Sequence, residues 1–432
     1  MFAYTTCPSH VLKPTMPSVF IVTKAVVVFP APDIVPDDVW LLVFHLFADD
    51  ERMRIVLGTT CKYFKRLIDD APCLWRHVTL RPNRLGLQSY RTYLGKCVAN
   101  SSGRHMNLTI GTQSAPVYES GDVLRWFPNV VMQFADVICL RLFVSSEIVD
   151  MLMHSSVLFR NVEDITLCVF SYDVRFFDWE RPLTCFSESR RLRCLKVSNR
   201  GAVTFHGSLA ELLPFPTDNL EFFESMSFFA TTNVHQLMER SPKLKRVVFD
   251  ASCSSEPQHD FIPAALLRLE HLEEVDMTLS HVADSRIGVA ALLQSLVCPN
   301  LVRFRMDDLM DVDDATQEAF DNFASSSFER LQELELDSVG FFLLDAVHHT
   351  KNLRQLTWRN TFYAGKQLVD HINVLSHMPE LRHVFIYGLI HPRISEGINS
   401  DVTQAFEDAC ANLRRLMDQQ DGDFEIDFCL WR

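Results

Sequence analysis

Carboxylates crowd one short stretch of the chain: Asp307-Asp308, Asp311 and Asp313-Asp314. Counting from Asp307, Glu318 falls at the twelfth position, where a calcium loop carries its bidentate ligand. The third position, however, is Leu309, and Val312 stands where the turn glycine is required. A solvated loop running into a helix start is therefore expected there. His348-His349 closes a helical pattern with only Asp345 near it in sequence. Histidine is favourable at a helix end through the dipole, so the doublet does not argue for a ligand or base. The twelve cysteines are scattered from Cys7 to Cys429 without one CxxC pair, and zinc sites need close ligand pairs. No phosphate loop, nucleophile elbow or HExxH helix occurs. The expectation is no catalytic residue, no metal, no cofactor and no enzyme activity.

The bulk numbers narrow the classes further. Lys and Arg total 41 against 55 Asp and Glu, a net charge of −14. Phosphate backbones want a basic face, so nucleic acid is not an expected partner. Hydrophobic residues make up 47%, which suits a globular chain. Val19 to Pro32 is apolar but broken by Lys24 and ended by Pro30 and Pro32, too short for a membrane span. Residues 1–33 are expected as a poorly ordered tail, with no membrane contact. Scattered thiols fit a reducing compartment, cytoplasmic or nuclear.

What could position functional side chains is a recurring unit, apolar-x-x-apolar-x-apolar. It starts at Val137, Val162, Leu192, Leu220, Leu244, Leu272, Leu301, Leu331, Leu353 and Leu381, at intervals of 22–30 residues. Weaker instances start at Trp75 and His105. That interval is the leucine-rich-repeat period. The alternation inside each unit predicts a short strand with two inward side chains. Helical patterns lie between units, at Val234-Leu237-Met238, Ala264 to Leu267, Val289-Leu292-Leu293-Leu296 and Leu368-His371-Ile372-Leu375. Pro242, Pro299 and Pro379 stop helices before the next strand. One helix and one parallel strand per unit predicts an α/β curved solenoid over 81–400, strands concave and helices convex. Residues 401–432 are expected as a cap, with a helix over 401–419 and a strand over 424–428.

In each unit, residues three and five point outward. Glu274 and Asp276, Arg303 and Arg305, and Glu333 and Glu335 alternate in sign across three neighbouring strands. Strands lie about 4.8 Å apart, so a lateral charge ladder is expected, its members paired with one another. Gln355, Thr357, His383 and Phe385 are less self-satisfied and become the candidate target-binding residues. The aromatic Phe385 is the anchor among them, provided the cap does not cover it.

Residues 34–80 read as a separate helical module. Pro36 suits a first helical turn, and Asp37 and Asp38 sit at the positive end of the dipole. Val39, Leu42, Val43 and Leu46 follow at helical spacing. Further helices are expected over 53–60 and 62–68. VPDDVWLLVFHLF followed by GTTCKYFKRLIDDAPCLWRHVTL resembles the F-box. Val35-Pro36, Asp38-Val39, Val43-Phe44 with Leu46, Cys61-Lys62 with Phe64, and Leu74-Trp75 fill its signatures in order. The resemblance implies a three-helix F-box that docks a Skp-type adaptor, and through it a cullin-RING ligase. The implied adaptor-binding residues are Val35, Pro36, Val39, Val43, Phe44, Leu46, Leu57, Cys61, Phe64 and Trp75. Lacking the regular repeat asparagine, the remainder resembles a fungal-type F-box solenoid. The implied role is a non-catalytic substrate-recognition subunit of a Skp–cullin–F-box ubiquitin ligase. The alternative is a scaffold that binds a Skp-type partner outside any ligase.

Overall fold

The computed structural model describes residues 18–22, 25–29, 36–46, 57–58, 61–75, 77–80, 95, 99, 106–117, 134, 137–153, 160–170, 189–199, 217–252, 266–279, 285–307, 314–337, 347–362, 365–390, 400–420 and 422–430. Within the segment expected as a tail, β1 (Ser18–Val22) and β2 (Ala25–Phe29) pair antiparallel, with Val22 opposite Ala25. Their runs of Val, Ile and Phe carry high strand propensity.

Next come two helices, α1 (Asp37–His45) and α2 (Lys62–Asp69), and a 3-10 turn over Pro72–Trp75. Pro36 precedes α1 as its cap residue, accepting the Val39 and Trp40 amides at 3.1 and 3.2 Å. Cys61 caps α2, its Sγ accepting the Phe64 amide at 3.4 Å. Most of the helix expected over 53–60 lies outside the described residues; Leu57 and Gly58 are helical.

The rest of the fold is built on one 13-stranded sheet in which every neighbouring pair is parallel. Its strands, in order, are β3 (His77–Leu80), β4 (Met106–Ile110), β5 (Val137–Ser145), β6 (Asp164–Phe170), β7 (Cys194–Asn199), β8 (Phe222–Ala230) and β9 (Arg246–Ser252). Then come β11 (Glu274–Leu279), β13 (Arg303–Asp307), β14 (Glu333–Asp337), β15 (Gln355–Phe362), β16 (His383–Ile390) and β17 (Asp423–Leu430). The twelve recurring units and the final strand each supply one member.

The mixed helix and strand architecture follows from the spacing within each unit. Leu272 enters the core just before β11, and Val275 and Met277 follow it inward. The same places are filled by Leu301, Phe304 and Met306, then by Leu331, Leu334 and Leu336. Helices cover that side: α3 (Ser146–Met153), α4 (Thr231–Arg240), α5 (Ser285–Ser295), α6 (Asp314–Ser327), α7 (Gly365–Leu375) and α8 (Ser400–Gln419). Phe304 of β13 meets Phe320 and Phe323 of α6 and the adjoining Phe328, with centroids 5.4–5.8 Å apart.

Two expectations change. Leu267, expected in a helix, lies in the two-residue strand β10 (Leu267–Arg268), parallel to β12 (Leu296–Val297). Its backbone is held by the matching segment of the next unit, as in Leu269 N–H to the Val297 carbonyl at 2.9 Å. Leu296, the last position of another helical pattern, joins β12 for the same reason. Asn219, Asn300 and Asn352 each stand just before a unit's first leucine. They donate to the Arg190, Glu270 and Glu329 carbonyls at 3.3, 2.6 and 2.8 Å, tying each unit to the one before it.

Candidate functional site

The helical module is apolar on two sides. Trp40 and Phe44 of α1 and Phe64 of α2 form an aromatic cluster, with centroids 4.7 Å apart for Trp40–Phe64 and 5.2 Å for Phe44–Phe64. All three are buried, as are Leu57, Leu74 and Trp75. The Trp75 indole N–H donates to the Ile68 carbonyl at 3.1 Å, and the Tyr63 hydroxyl donates to Asp37. At about 100° per residue, Val39, Leu42 and Leu46 point away from that cluster. They are 41%, 67% and 81% exposed. Val43 falls between the two faces and is partly buried against the core.

The residues implied as adaptor contacts therefore divide. Pro36, Val39 and Leu46 are at the surface, and Val43 is at its margin. Phe44, Leu57, Phe64 and Trp75 are interior residues that hold the helices in place. Cys61 is half-buried and occupied as a helix cap. Val35 lies outside the described residues. Leu42 is the surface residue missing from the implied set; its helical spacing with Val39 and Leu46 was its signal.

On the open face of the sheet the charge ladder is present. Arg303 lies 3.4 Å from Glu274 and 3.0 Å from Glu333. Arg305 lies 3.8 Å from Asp276 and 3.9 Å from Glu335, close enough to pair electrostatically but not to hydrogen-bond. The ladder runs past the expected three strands. Arg246 reaches Glu274 at 3.0 Å, Arg359 reaches Glu335 at 3.4 Å, and Lys196 reaches Glu224 at 2.9 Å. Such half-exposed pairs are worth about 0–1 kcal/mol each, so they set lateral register more than stability.

The candidate target-binding residues fall on this face in two rows, Gln355 beside His383 and Thr357 beside Phe385. They do not make an open patch. Thr357 is buried, and His383 stands 3.2 Å from Asp423. Gln355 and Phe385 are half-buried, Phe385 lying between Thr357 and Glu425. The terminal strand lies alongside β16 instead of folding over it, so the last element extends the face.

Two thiols of this face, Cys139 and Cys194, are not set up as nucleophiles. Cys139, Asp164 and Cys194 stand side by side in register. Burial pushes both thiols up, Cys194 to about 11, which keeps them protonated at neutral pH. Asp307 ends β13, Asp314 begins α6, and the carboxylates between them lie outside the described residues. His348 and His349 are exposed on a 3-10 turn. Among the described residues no group of His, Cys, Asp and Glu could hold a metal ion, and no helix is long and apolar enough to cross a membrane.

In comparison with known families, residues 33–81 fit the F-box-like family model. The matched range contains the aromatic cluster and the exposed Val39, Leu42 and Leu46. No curated protein matches the chain.

Proposed function

We propose that this chain is the substrate-recognition subunit of a Skp–cullin–F-box ubiquitin ligase. F-box domains bind Skp-type adaptors in cullin-RING ligases, and the F-box-like domain at residues 33–81 suggests an adaptor role of that kind. The observation that carries the reading is the unpartnered apolar face of α1 within that domain. Leu42 and Leu46 are large, exposed and on one side of a helix whose other side is locked into the core. An amphipathic helix presenting such a stripe docks into the apolar groove of partner helices. Pro36, Val39, Leu42, Val43 and Leu46 form the adaptor contact.

The units that follow form a leucine-rich-repeat solenoid of the fungal F-box type, and that solenoid holds the target. The single parallel sheet, one strand per unit, supports this reading. The chain itself performs no chemistry; it raises the local concentration of target beside the ligase. It works without cofactor in the cytosol or nucleus, where free thiols such as Cys168 and Cys298 stay reduced.

Affinity purification from the native cell, with and without residues 34–80, tests the assignment. Recovery of a Skp-type adaptor and a cullin with the full chain, and of neither with the truncated one, is the expected result. Recovery of the adaptor without a cullin would make the protein a ligase-independent scaffold.

A further inference from the structure

One row of side chains on the solenoid differs from the ladder beside it. Glu273, Val302, Gln332 and Arg354 each immediately precede a strand of the sheet. Their backbones are tied in sequence, Val302 N–H to Glu273, Gln332 N–H to Val302 and Arg354 N–H to Gln332, each at 2.8 Å. The row lines an open trough of about 650 Å³. Asn300 and Arg330, joined at 2.8 Å, line it as well. In the ladder, one residue further along each strand, charges neutralise one another. In the trough, the side chains of Glu273 and Arg354 have no hydrogen-bond or ion-pair partner among the described residues. They are held apart by the neutral Val302 and Gln332.

The spacing defines a ligand. Three strand intervals of about 4.8 Å place the Glu273 and Arg354 backbones about 14 Å apart. An extended peptide covers that distance in about four residues, at about 3.3 Å each. Small-molecule pockets are mostly apolar, whereas among the described residues Val302 is the one apolar residue lining this trough. The carboxylates of Glu273 and Glu380 in the same lining disfavour a multiply charged anion. We infer that this trough is the target-recognition site. It takes an extended peptide segment with a Lys or Arg against Glu273 and, about four residues away, an Asp or Glu against Arg354. Gln332, between them, can both donate to and accept from the peptide backbone. This rests on the reading of the chain as a recognition subunit.

The test uses the full chain on a peptide array in which one Lys and one Glu are fixed at increasing separations, in both orders, among randomised neutral residues. Binding should peak at a separation of about four in one order. Glu273→Gln should abolish the dependence on Lys, and Arg354→Gln the dependence on Glu, each by up to about fivefold, as for exposed ion pairs. The exchange variant Glu273→Arg/Arg354→Glu should prefer the opposite order. Binding that ignores separation, or an exchange variant that keeps the original order, overturns the inference. Adaptor pull-down on the same preparations separates the two claims. Array selectivity without adaptor binding contradicts the ligase reading and leaves the trough standing; adaptor binding without selectivity contradicts the trough alone.

Discussion

Trp40 of the first helix and Phe64 of the second meet at 4.7 Å between ring centroids, inclined at 62°. That edge-on contact joins two segments separated in sequence by the expected 53–60 helix. Both rings are buried, so the pair serves the module's integrity. Phe64→Ala should lower stability by about 3–5 kcal/mol, the range for truncating a buried Phe. Thermal unfolding of the full chain would show it, with early loss of the residue 36–80 amides in hydrogen exchange.

The ladder predicts a small, salt-sensitive coupling. In a double-mutant cycle, Arg303→Ala and Glu333→Ala should couple by no more than about 1 kcal/mol. High salt should shrink the coupling further, because the pair is half-exposed. Coupling several times larger, measured by chemical denaturation, would mean the ladder is a principal source of stability.

Asp250 should make folding stability fall as pH rises. Burial, and after it the neighbouring Asp276 and Asp307 carboxylates, push its pKa up to about 6. The unfolded value is about 3.9, so between the two the folded chain binds more protons. The contribution is fully present below about pH 4 and is lost as pH rises through about 6. Asp250→Asn should therefore match the wild type in melting temperature near pH 4 and exceed it at neutral pH. A variant that is less stable at neutral pH would contradict the electrostatic account.

Gly422 is required by a close backbone approach. A Cβ there would stand 2.0 Å from the Arg382 carbonyl oxygen, a main-chain atom that cannot rotate away. Gly422→Ala should displace the terminal strand from β16 and cost about 1–3 kcal/mol, as overpacking does. Faster hydrogen exchange in residues 383–390 is the expected signature.

The repeat strands were legible because Leu-x-x-Leu-x-Leu places three apolar side chains on one side of the sheet, as Leu331, Leu334 and Leu336 show. The ladder was legible because parallel pairing in register puts equivalent positions side by side. Leu267 was not legible as a strand residue, because a short apolar run does not distinguish helix from strand. Phe44 and Phe64 are interior while Leu42 is exposed, a division that depends on where α2 packs. The trough was invisible for a sharper reason. Glu273 and Glu274 are adjacent and chemically identical, yet only Glu274 meets Arg246 and Arg303. Which of two neighbouring carboxylates is left unpaired is decided by register: Glu274 falls in the row of Arg246 and Arg303, and Glu273 lies one place before it.

The exposed face of α1 carries the adaptor assignment most directly. The measurement is the affinity of the full chain for a Skp-type adaptor, with Leu42 and Leu46 both changed to Asp. Burying a leucine is worth about 1.5–3 kcal/mol, and about 1.4 kcal/mol is a factor of ten. The double variant should lose binding by at least about a hundredfold, with its melting temperature unchanged because neither side chain is in the core. An affinity equal to the wild type's, in a variant that melts normally, would contradict the assignment of this face to the adaptor.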